Sequence, residues 1–217
     1  MSEMTIDGPR IHPVGRPARS LVVLLHGYGA DGNDLIELGR IWSASLPDTA
    51  FVAPHAPQPH PEAPIGRQWF PLADVDPGTL REGVLSATPL LDTFLDAELA
   101  RHKLTEDRLA LVGFSQGTML ALHIAVRRAR QMAGVIGYSG LIPGPEFLAA
   151  EMKQRPPILL VHGDADPLIP SLALFAATRV LGDAGFKVEW HVEPGLGHGI
   201  DEKGLALGLA FLKRVLA

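Results

Sequence analysis

The sequence predicts an α/β fold in which helices cover both faces of a mostly parallel sheet. Short apolar segments alternate with longer helical patterns, the order expected when each strand is joined to the next by a helix. Segments such as LVVLL and ILLV contain no polar residue, which indicates strands buried on both faces. A length of 217 residues is sufficient for one sizeable core, so residues 1–217 are expected to form a single domain.

Six segments are predicted to be strands because each is short and apolar and is closely followed by Gly, Pro or Asp. They are residues 21–25, 50–53, 109–112, 134–138, 158–161 and 186–192. In the last segment Lys187, Glu189 and His191 alternate with apolar residues. This alternation predicts an edge-like strand with one face in solvent.

Helical patterns fill most of the sequence between and after these strands. They cover residues 33–46, 79–103, 116–130, 146–153, 170–183 and 201–216. Residues 54–77 are different, because seven prolines in this segment argue against regular structure. We expect a long loop that begins at the carboxyl edge of the sheet, where functional groups of such folds gather.

Composition excludes several classes of function. Asp and Glu number 24 against 19 Lys and Arg, for a net charge of −5, and no block of basic residues indicates a nucleic-acid partner. The absence of cysteine excludes disulfides, thiolate metal sites and a cysteine nucleophile, and it fits a cytoplasmic protein. The longest apolar stretch, residues 204–212, is half a membrane span. The oligomeric state, monomer or homodimer, is left open.

The segment Gly113-Phe114-Ser115-Gln116-Gly117 matches the G-x-S-x-G pattern of a nucleophilic serine. It lies between a predicted strand and a predicted helix, which is the context the pattern requires. Glycines two residues before and after the serine let neighbouring backbone approach closely. Ser115 is therefore the candidate nucleophile, at a helix N-terminus that favours an oxyanion.

A serine nucleophile needs a base, and the chain has nine histidines. His123 lies eight residues into the helix after Ser115, about 12 Å away at 1.5 Å per residue, and is too distant. His198, in Gly197-His198-Gly199, follows the last strand and precedes the last helix. This position brings it to the same edge of the sheet as Ser115 and makes it the candidate base.

The segment His162-Gly163-Asp164-Ala165-Asp166-Pro167 offers two candidate acids. Asp166 is preferred because Pro167 fixes the chain after it, and Asp164 remains as an alternative with a turn-forming role. The order serine, acid, histidine is that of hydrolases of this fold class. The rest of a calcium-binding frame is missing around D-x-D, so no metal site is predicted.

A glycine-rich turn, His26-Gly27-Tyr28-Gly29, follows the first clear strand. Such a turn exposes backbone N–H groups, and the N–H groups of Tyr28 and Gln116 are the predicted oxyanion donors. A dinucleotide site is disfavoured because the full G-x-G-x-x-G frame is absent. His26 is expected to hold the turn by hydrogen bonds.

With these residues identified, the chain resembles the phospholipase/carboxylesterase family of α/β-hydrolases, relatives of the acyl-protein thioesterases. The resemblance runs from about residue 21 to 216 and rests on six segments in family order: LLHGYGADG, RQWF, GFSQG, YSGLIP, HGDADPLIP and GLGH. It implies an α/β-hydrolase fold, the triad and oxyanion donors named above, and a structural role for Ser139. Three residues depart from the family pattern, namely Thr118, Gly199 and Pro71, and they bear on substrate preference.

The expected activity is hydrolysis of carboxylic esters, with thioesters or lysophospholipids as further candidates, through an acyl-enzyme on Ser115 and without a cofactor. Trp69 and Phe70 are expected to line the acyl pocket, the alternative being that Trp69 anchors the Pro-rich loop to the core. Two other functions remain open: acyl transfer to an alcohol or amine by the same acyl-enzyme, and a binding domain without catalysis.

Overall fold

The computed structural model describes residues 5–72 and 76–217. The predicted loop at 54–77 therefore includes three residues, 73–75, that lie outside the described residues. Nine strands are present in the described part: β1 Arg10–Ile11, β2 Ser20–Leu25, β3 Thr49–Val52, β4 Gln58–Pro59, β5 Arg67–Gln68, β6 Leu109–Phe114, β7 Gly134–Tyr138, β8 Ile158–Gly163 and β9 Val188–Glu193. The α-helices are α1 Gly32–Ser43, α2 Pro77–His102, α3 Gln116–Ala125, α4 Leu148–Glu151, α5 Leu172–Asp183 and α6 Glu202–Val215.

Seven strands form the main sheet in the order β1-β3-β2-β6-β7-β8-β9. All neighbours are parallel except β1, a short strand missed by the sequence analysis, which runs antiparallel to β3. The mostly parallel sheet is confirmed. Because the long strands share one direction, their carboxyl ends meet at one edge.

Both faces of the sheet are buried, as the continuous apolar strands predicted. In β2, Leu21, Val23 and Leu25 belong to a core shared with α2, α3 and α5. Their neighbours Val22 and Leu24 belong to a second core, shared with α1 and α6. All six residues of β2 are buried. The alternation of side chains along a strand thus divides one apolar run between two helix layers.

The edge strand β9 departs in part from its predicted pattern. It lies at the sheet edge, as expected. However, Trp190 is 51% exposed, and it packs edge-on against the half-exposed ring of Phe175 in α5, with 5.4 Å between ring centroids. On the predicted solvent face, Glu189 pairs with Arg214 of α6. The solvent face is present, and the departure lies in the opposite face, where Val188 and Val192 pack against the core but Trp190 is exposed.

The prediction of no regular structure in the Pro-rich segment was also wrong. β4 and β5 form a small antiparallel hairpin in which Gln58 pairs with Gln68. The hairpin is hydrogen-bonded to the glycine-rich turn after β2, since Arg67 accepts from Gly29 N–H and donates its own N–H to Ala30, both at 2.9 Å. The two-residue strands tolerate proline because only a very short ladder is needed.

Two helices depart most from their predicted bounds. α3 ends at Ala125 rather than at residue 130, and the chain turns so that Arg128 becomes buried and pairs with Asp92 and Asp96 of α2. The predicted helix at 146–153 is a 3₁₀ turn, Pro145–Phe147, followed by the single turn of α4.

Candidate active site

The residues predicted to act together follow four strands of the sheet at its carboxyl edge. Ser115 follows β6, Asp166 lies three residues after β8, and His198 lies five residues after β9. The glycine-rich turn follows β2 at the same edge. The fold therefore brings together segments that are far apart in the sequence.

Ser115 lies in a strained turn between β6 and α3. Its φ of 52° and ψ of −114° are unusual for a residue with a side chain, and such strain costs about 1–3 kcal/mol. A Cβ at Gly113 would lie 2.4 Å from the N atom of Thr118, and a Cβ at Gly117 would lie 1.9 Å from the carbonyl oxygen of Leu25. The turn therefore requires glycine at both positions.

His198 and Asp166 are joined by a hydrogen bond. Nδ1 of His198 lies 2.7 Å from Oδ2 of Asp166. A carboxylate only accepts, so Nδ1 carries a proton and Nε2 is the nitrogen available to a substrate or a hydroxyl. The imidazole packs beside Phe114, the residue before Ser115, with 5.0 Å between ring centroids. Among the described residues no hydrogen bond joins the Ser115 hydroxyl to His198, a contact that often tightens only with substrate.

The carboxylate of Asp166 is buried, and both of its oxygens accept hydrogen bonds. Its side chain is completely buried, and its Oδ1 accepts the backbone N–H groups of Leu168 and Ile169, both at 2.9 Å. Burial alone would raise the pKa of Asp166, but the donors from Ile169, His198 and Leu168 outweigh burial and hold this pKa below its ordinary value. The group is therefore an ionised acceptor at neutral pH.

The glycine-rich turn passes directly beside Ser115. A Cβ at Gly27 would lie 3.3 Å from Cβ of Ser115, so the backbone leading to Tyr28 runs against the serine. His26 is fully buried and braces the turn: its Nε2 accepts the N–H of Ala56 at 3.0 Å, and its Nδ1 lies 2.8 Å from the carbonyl oxygen of Gly27. Burial lowers the pKa of His26 and keeps the ring neutral.

Comparison with known proteins identifies the family of this chain. The family described as Phospholipase/Carboxylesterase matches residues 6–216. The chain belongs to the phospholipase/carboxylesterase family. It is 25% identical to acyl-protein thioesterase 1 of Gibberella zeae, over 96% of this chain and 95% of the relative. It is 28% identical to the esterase YpfH of Escherichia coli, over 91% of this chain and 84% of the relative.

Comparison with solved structures, together with the family match, confirms the α/β-hydrolase fold. The crystal structure of esterase PE8 superposes with a TM-score of 0.94 at 43% sequence identity, covering 98% of this chain and all of that one. The structure of Arabidopsis thaliana SOBER1 gives a TM-score of 0.82 at 26% identity, covering 92% of this chain and all of that one. In residues 5–72 and 76–217, no helix has both the length and the apolar character needed to cross a membrane.

The two candidate acids have different partners in this member of the phospholipase/carboxylesterase family. Asp166 contacts His198, whereas Oδ1 of Asp164 accepts the backbone N–H of Gly195 at 2.6 Å. Asp164 thus closes the turn that leads from β9 to His198. The geometry favours Asp166 as the acid and gives Asp164 the turn-stabilising role.

His162 is a buried contact of Asp166 that the sequence analysis did not single out. Its side chain is 1% exposed, and its Nε2 lies 2.8 Å from the carbonyl oxygen of Ile169 and 3.1 Å from Oδ2 of Asp166. Because the carbonyl only accepts, Nε2 carries the proton. The signal in the sequence was its position four residues before Asp166 at the end of an apolar strand.

The expected role of Trp69 and Phe70 in binding an acyl chain needs correction. Both side chains lie in the core, 1% and 0% exposed, and so form no part of an open pocket wall. Nε1 of Trp69 donates to the carbonyl of His26 at 2.9 Å. The side chain of Gln116 accepts from Trp69 N–H at 2.9 Å and donates to the carbonyl of Phe70 at 2.7 Å. These contacts support the anchoring alternative.

Two of the three departures from the family pattern have a structural context. The hydroxyl of Thr118 donates to the carbonyl of Tyr138 at 2.8 Å, and its side chain fills space left by Gly140, where a Cβ would lie 2.4 Å from it. The carbonyl of Gly199 accepts from the hydroxyl of Ser139 at 3.2 Å. Ser139 is fully buried, in agreement with a structural role. Pro71 is exposed, and nothing in the structure explains its identity.

Proposed function

We propose that the protein hydrolyses carboxylic esters through an acyl-enzyme on Ser115, with thioesters and lysophospholipids open to the same chemistry. The proposal rests above all on the 2.7 Å contact between Nδ1 of His198 and Oδ2 of Asp166, at the edge of the sheet where Ser115 occupies its strained turn. Nucleophile, base and acid are the three parts that acyl transfer requires.

In the first half-reaction the hydroxyl oxygen of Ser115 attacks the carbonyl carbon while Nε2 of His198 takes the proton. The carbonyl oxygen becomes an oxyanion, which the N–H groups of Tyr28 and Gln116 stabilise; one such donor is worth about 10²–10³ in rate. The carbon–oxygen bond to the alcohol then breaks, and the alcohol leaves with the proton from His198. Asp166 holds the imidazole in the required tautomer and stabilises its charged form.

In the second half-reaction water replaces the alcohol. His198 takes a proton from the water as its oxygen attacks the acyl carbon, and it returns that proton to Ser115 as the acid leaves. Gln116 serves twice in this scheme, since its backbone N–H at the start of α3 has no partner within the helix and its side chain fixes the loop at residues 69–70.

An apolar cavity near Ser115 supports a new location for the acyl chain. Its volume is about 320 Å³, and it lies between the start of α2, the segment after β7 and α5. Leu141, Ile142, Ala173 and Val180 contribute to its wall. Leu141 follows Gly140, where a Cβ would lie 3.1 Å from the carbonyl oxygen of Ser115. The segment that borders this cavity therefore starts beside the backbone of Ser115, which supports the cavity as the acyl site.

Labelling with a serine-directed phosphonate tests the nucleophile. We expect a single modified residue, Ser115, together with loss of 4-nitrophenyl butyrate hydrolysis in Ser115→Ala and its retention in the matched variant Ser139→Ala. Labelling at Ser139, or full activity in Ser115→Ala, contradicts the proposal.

The two other functions give different outcomes in the same assay. A binding domain releases no burst of 4-nitrophenol from an activated ester. An acyltransferase releases the burst but forms a new ester when an alcohol acceptor is added, whereas a hydrolase gives mainly the free acid.

A further inference from the structure

A second apolar cavity lies beside the glycine-rich turn that follows β2. It has a volume of about 250 Å³, and its apolar wall comes from Gly27, Ala30, Leu35, Phe114 and Ile200. These residues belong to the turn after β2, to α1, to the end of β6 and to the segment before α6. The acyl cavity is bordered instead by α2 and α5, so the two cavities are built from different helix layers of the fold.

Three observations place this second cavity near the imidazole of His198. The ring of Phe114 lies 5.0 Å from the ring of His198, and Ile200 follows His198 by two residues. At Gly27, a Cβ would meet both the Phe114 ring at 3.0 Å and Cβ of Ser115 at 3.3 Å. The cavity therefore borders the turn at Ser115 on the side where His198 lies.

The chemistry of the first half-reaction distinguishes the two sides. The alcohol oxygen must come within hydrogen-bond reach of Nε2 of His198, because it takes the proton as its bond to the acyl carbon breaks. The carbonyl oxygen points to the N–H donors, and the acyl chain needs a third direction. The group carried by the alcohol oxygen is thus directed to the imidazole side.

We propose that this cavity binds the alcohol portion of the ester. The inference rests on the proposed function and adds the class of leaving group. A volume of about 250 Å³ is smaller than the ~300–1,000 Å³ of sites for drug-sized ligands, so the fitting alcohols are short and apolar, such as butyl or phenyl. The acidic side chain of Asp34 also borders the cavity, and its Oδ2 accepts the N–H of Asp31 at 3.0 Å. Neutral alcohols are therefore favoured over anionic ones.

A matrix of esters tests the assignment. One series keeps the acetyl group and lengthens the alcohol from methyl to butyl, and the other keeps methanol and lengthens the acid from acetate to hexanoate. The measured quantity is kcat/KM, which contains the transition state of the step that expels the alcohol. In the unmodified protein we expect kcat/KM to rise along both series, by about tenfold or more from the shortest to the longest member.

Filling each cavity separately gives matched variants. Ile200→Trp is expected to abolish most of the preference for butyl over methyl acetate while the preference for hexanoate over acetate persists. Ala173→Phe, in the wall of the acyl cavity, is expected to give the opposite pattern. Ala30→Leu is a smaller filling of the alcohol cavity and gives a second reading if Ile200→Trp does not fold.

The outcomes for these variants test the alcohol site and the proposed function separately. An unchanged alcohol preference in folded Ile200→Trp and Ala30→Leu overturns the assignment, and so does a loss of acyl preference alone in those variants. If the unmodified protein hydrolyses esters and the phosphonate labels Ser115, the proposed function stands even when the alcohol assignment fails. A protein that cleaves no ester and leaves Ser115 unlabelled overturns both.

Discussion

The serine turn and the acid loop are held by different forces, although both occupy the same edge of the sheet. The serine turn, residues 113–117, is shaped by close packing, since Gly113 and Gly117 have no room for a Cβ. The acid loop, residues 162–169, is shaped by polar contacts to the carboxylate of Asp166. We therefore expect the serine turn to be disrupted by added atoms and the acid loop by lost donors and acceptors.

The largest expected effect is on catalysis and comes from the acid loop. Asp166→Asn leaves volume unchanged but replaces the acceptor for Nδ1 of His198, which disfavours the required tautomer; the equivalent change in a serine protease costs ~10⁴ in kcat. The matched control is Asp164→Asn, which keeps an oxygen acceptor for the Gly195 N–H, weakens that bond only by the loss of charge, and should cost less than about tenfold. Steady-state kcat with 4-nitrophenyl acetate gives both values. If the two losses are reversed, Asp164 is the acid.

The next effect is on stability and tests the serine turn. Gly117→Ala introduces a methyl group 1.9 Å from the carbonyl oxygen of Leu25, and we expect a loss of about 3 kcal/mol or more in the free energy of unfolding. Gly182→Ala in α5 is the control, because nothing lies within 4 Å of the added carbon. A helical Gly→Ala change there should stabilise by about 0.5–1 kcal/mol. Urea unfolding of both variants measures the contrast; equal stabilities would falsify the packing argument.

As the pH falls, we expect the free energy of unfolding to decrease first through His123 of α3 and only at lower pH through Asp166. Burial lowers the pKa of His123 in α3 from 6.5 to about 4, and its Nδ1 has no hydrogen-bond partner among the described residues. The folded state binds this proton less readily than the unfolded chain does. His123 therefore costs no stability above about pH 6.5, and stability is lost as the pH falls from about 6.5 to 4, by about 3 kcal/mol at most.

His123→Leu should remove that dependence. Urea midpoints measured from pH 7 to 4 are expected to fall less in the variant than in the unmodified protein. Asp166 has the opposite type of shift, a carboxyl pKa lowered on folding, so its contribution is fully present above about pH 3.8, its unperturbed pKa, and is lost only as the pH falls through the lower folded value. A variant as acid-sensitive as the unmodified protein between pH 6.5 and 4 contradicts this assignment.

The smallest effect concerns His162 as a positioning residue. His162→Leu removes the N–H shared by Ile169 and Asp166, and a lost hydrogen bond to a charged group is worth about 1.5–3 kcal/mol. We expect kcat to fall about 10-fold to 100-fold with KM nearly unchanged. His162→Gln keeps an N–H donor and should restore part of kcat. Equal losses in both variants, or a change in KM alone, argue for a purely structural role.

The sequence predicts best those positions that follow a parallel strand. Ser115, Asp166 and His198 were predicted because parallel strands deliver their following residues to one edge, and the structure brings the last two into contact. The choice between Asp164 and Asp166 could only be stated as a preference. It depends on the direction of two side chains in one turn, which no spacing rule fixes.

Other features depended on contacts between distant segments. Trp69 is large and apolar in a Pro-rich loop, a description that fits a pocket wall and a core anchor equally, and the contacts to His26 and Gln116 decide between them. The hairpin within the same loop forms because the turn after β2 offers backbone partners to Arg67. α3 ends early, and Arg128 after it turns towards Asp92 and Asp96 of α2, which lie 36 and 32 residues earlier in the chain. None of these partners is adjacent in sequence.

The side chain of Gln116 makes its two hydrogen bonds to main-chain atoms only, the N–H of Trp69 and the carbonyl of Phe70. These two hydrogen bonds do not depend on which side chains residues 69 and 70 carry. The stretch between residues 54 and 68 can therefore change in sequence, provided that the main chain returns to residues 69–70 in the same direction and that His55 still accepts the Gly32 N–H and His60 still packs on Tyr28. Loop grafting from other family members thus offers a route to new specificities that leaves the serine and its helix untouched.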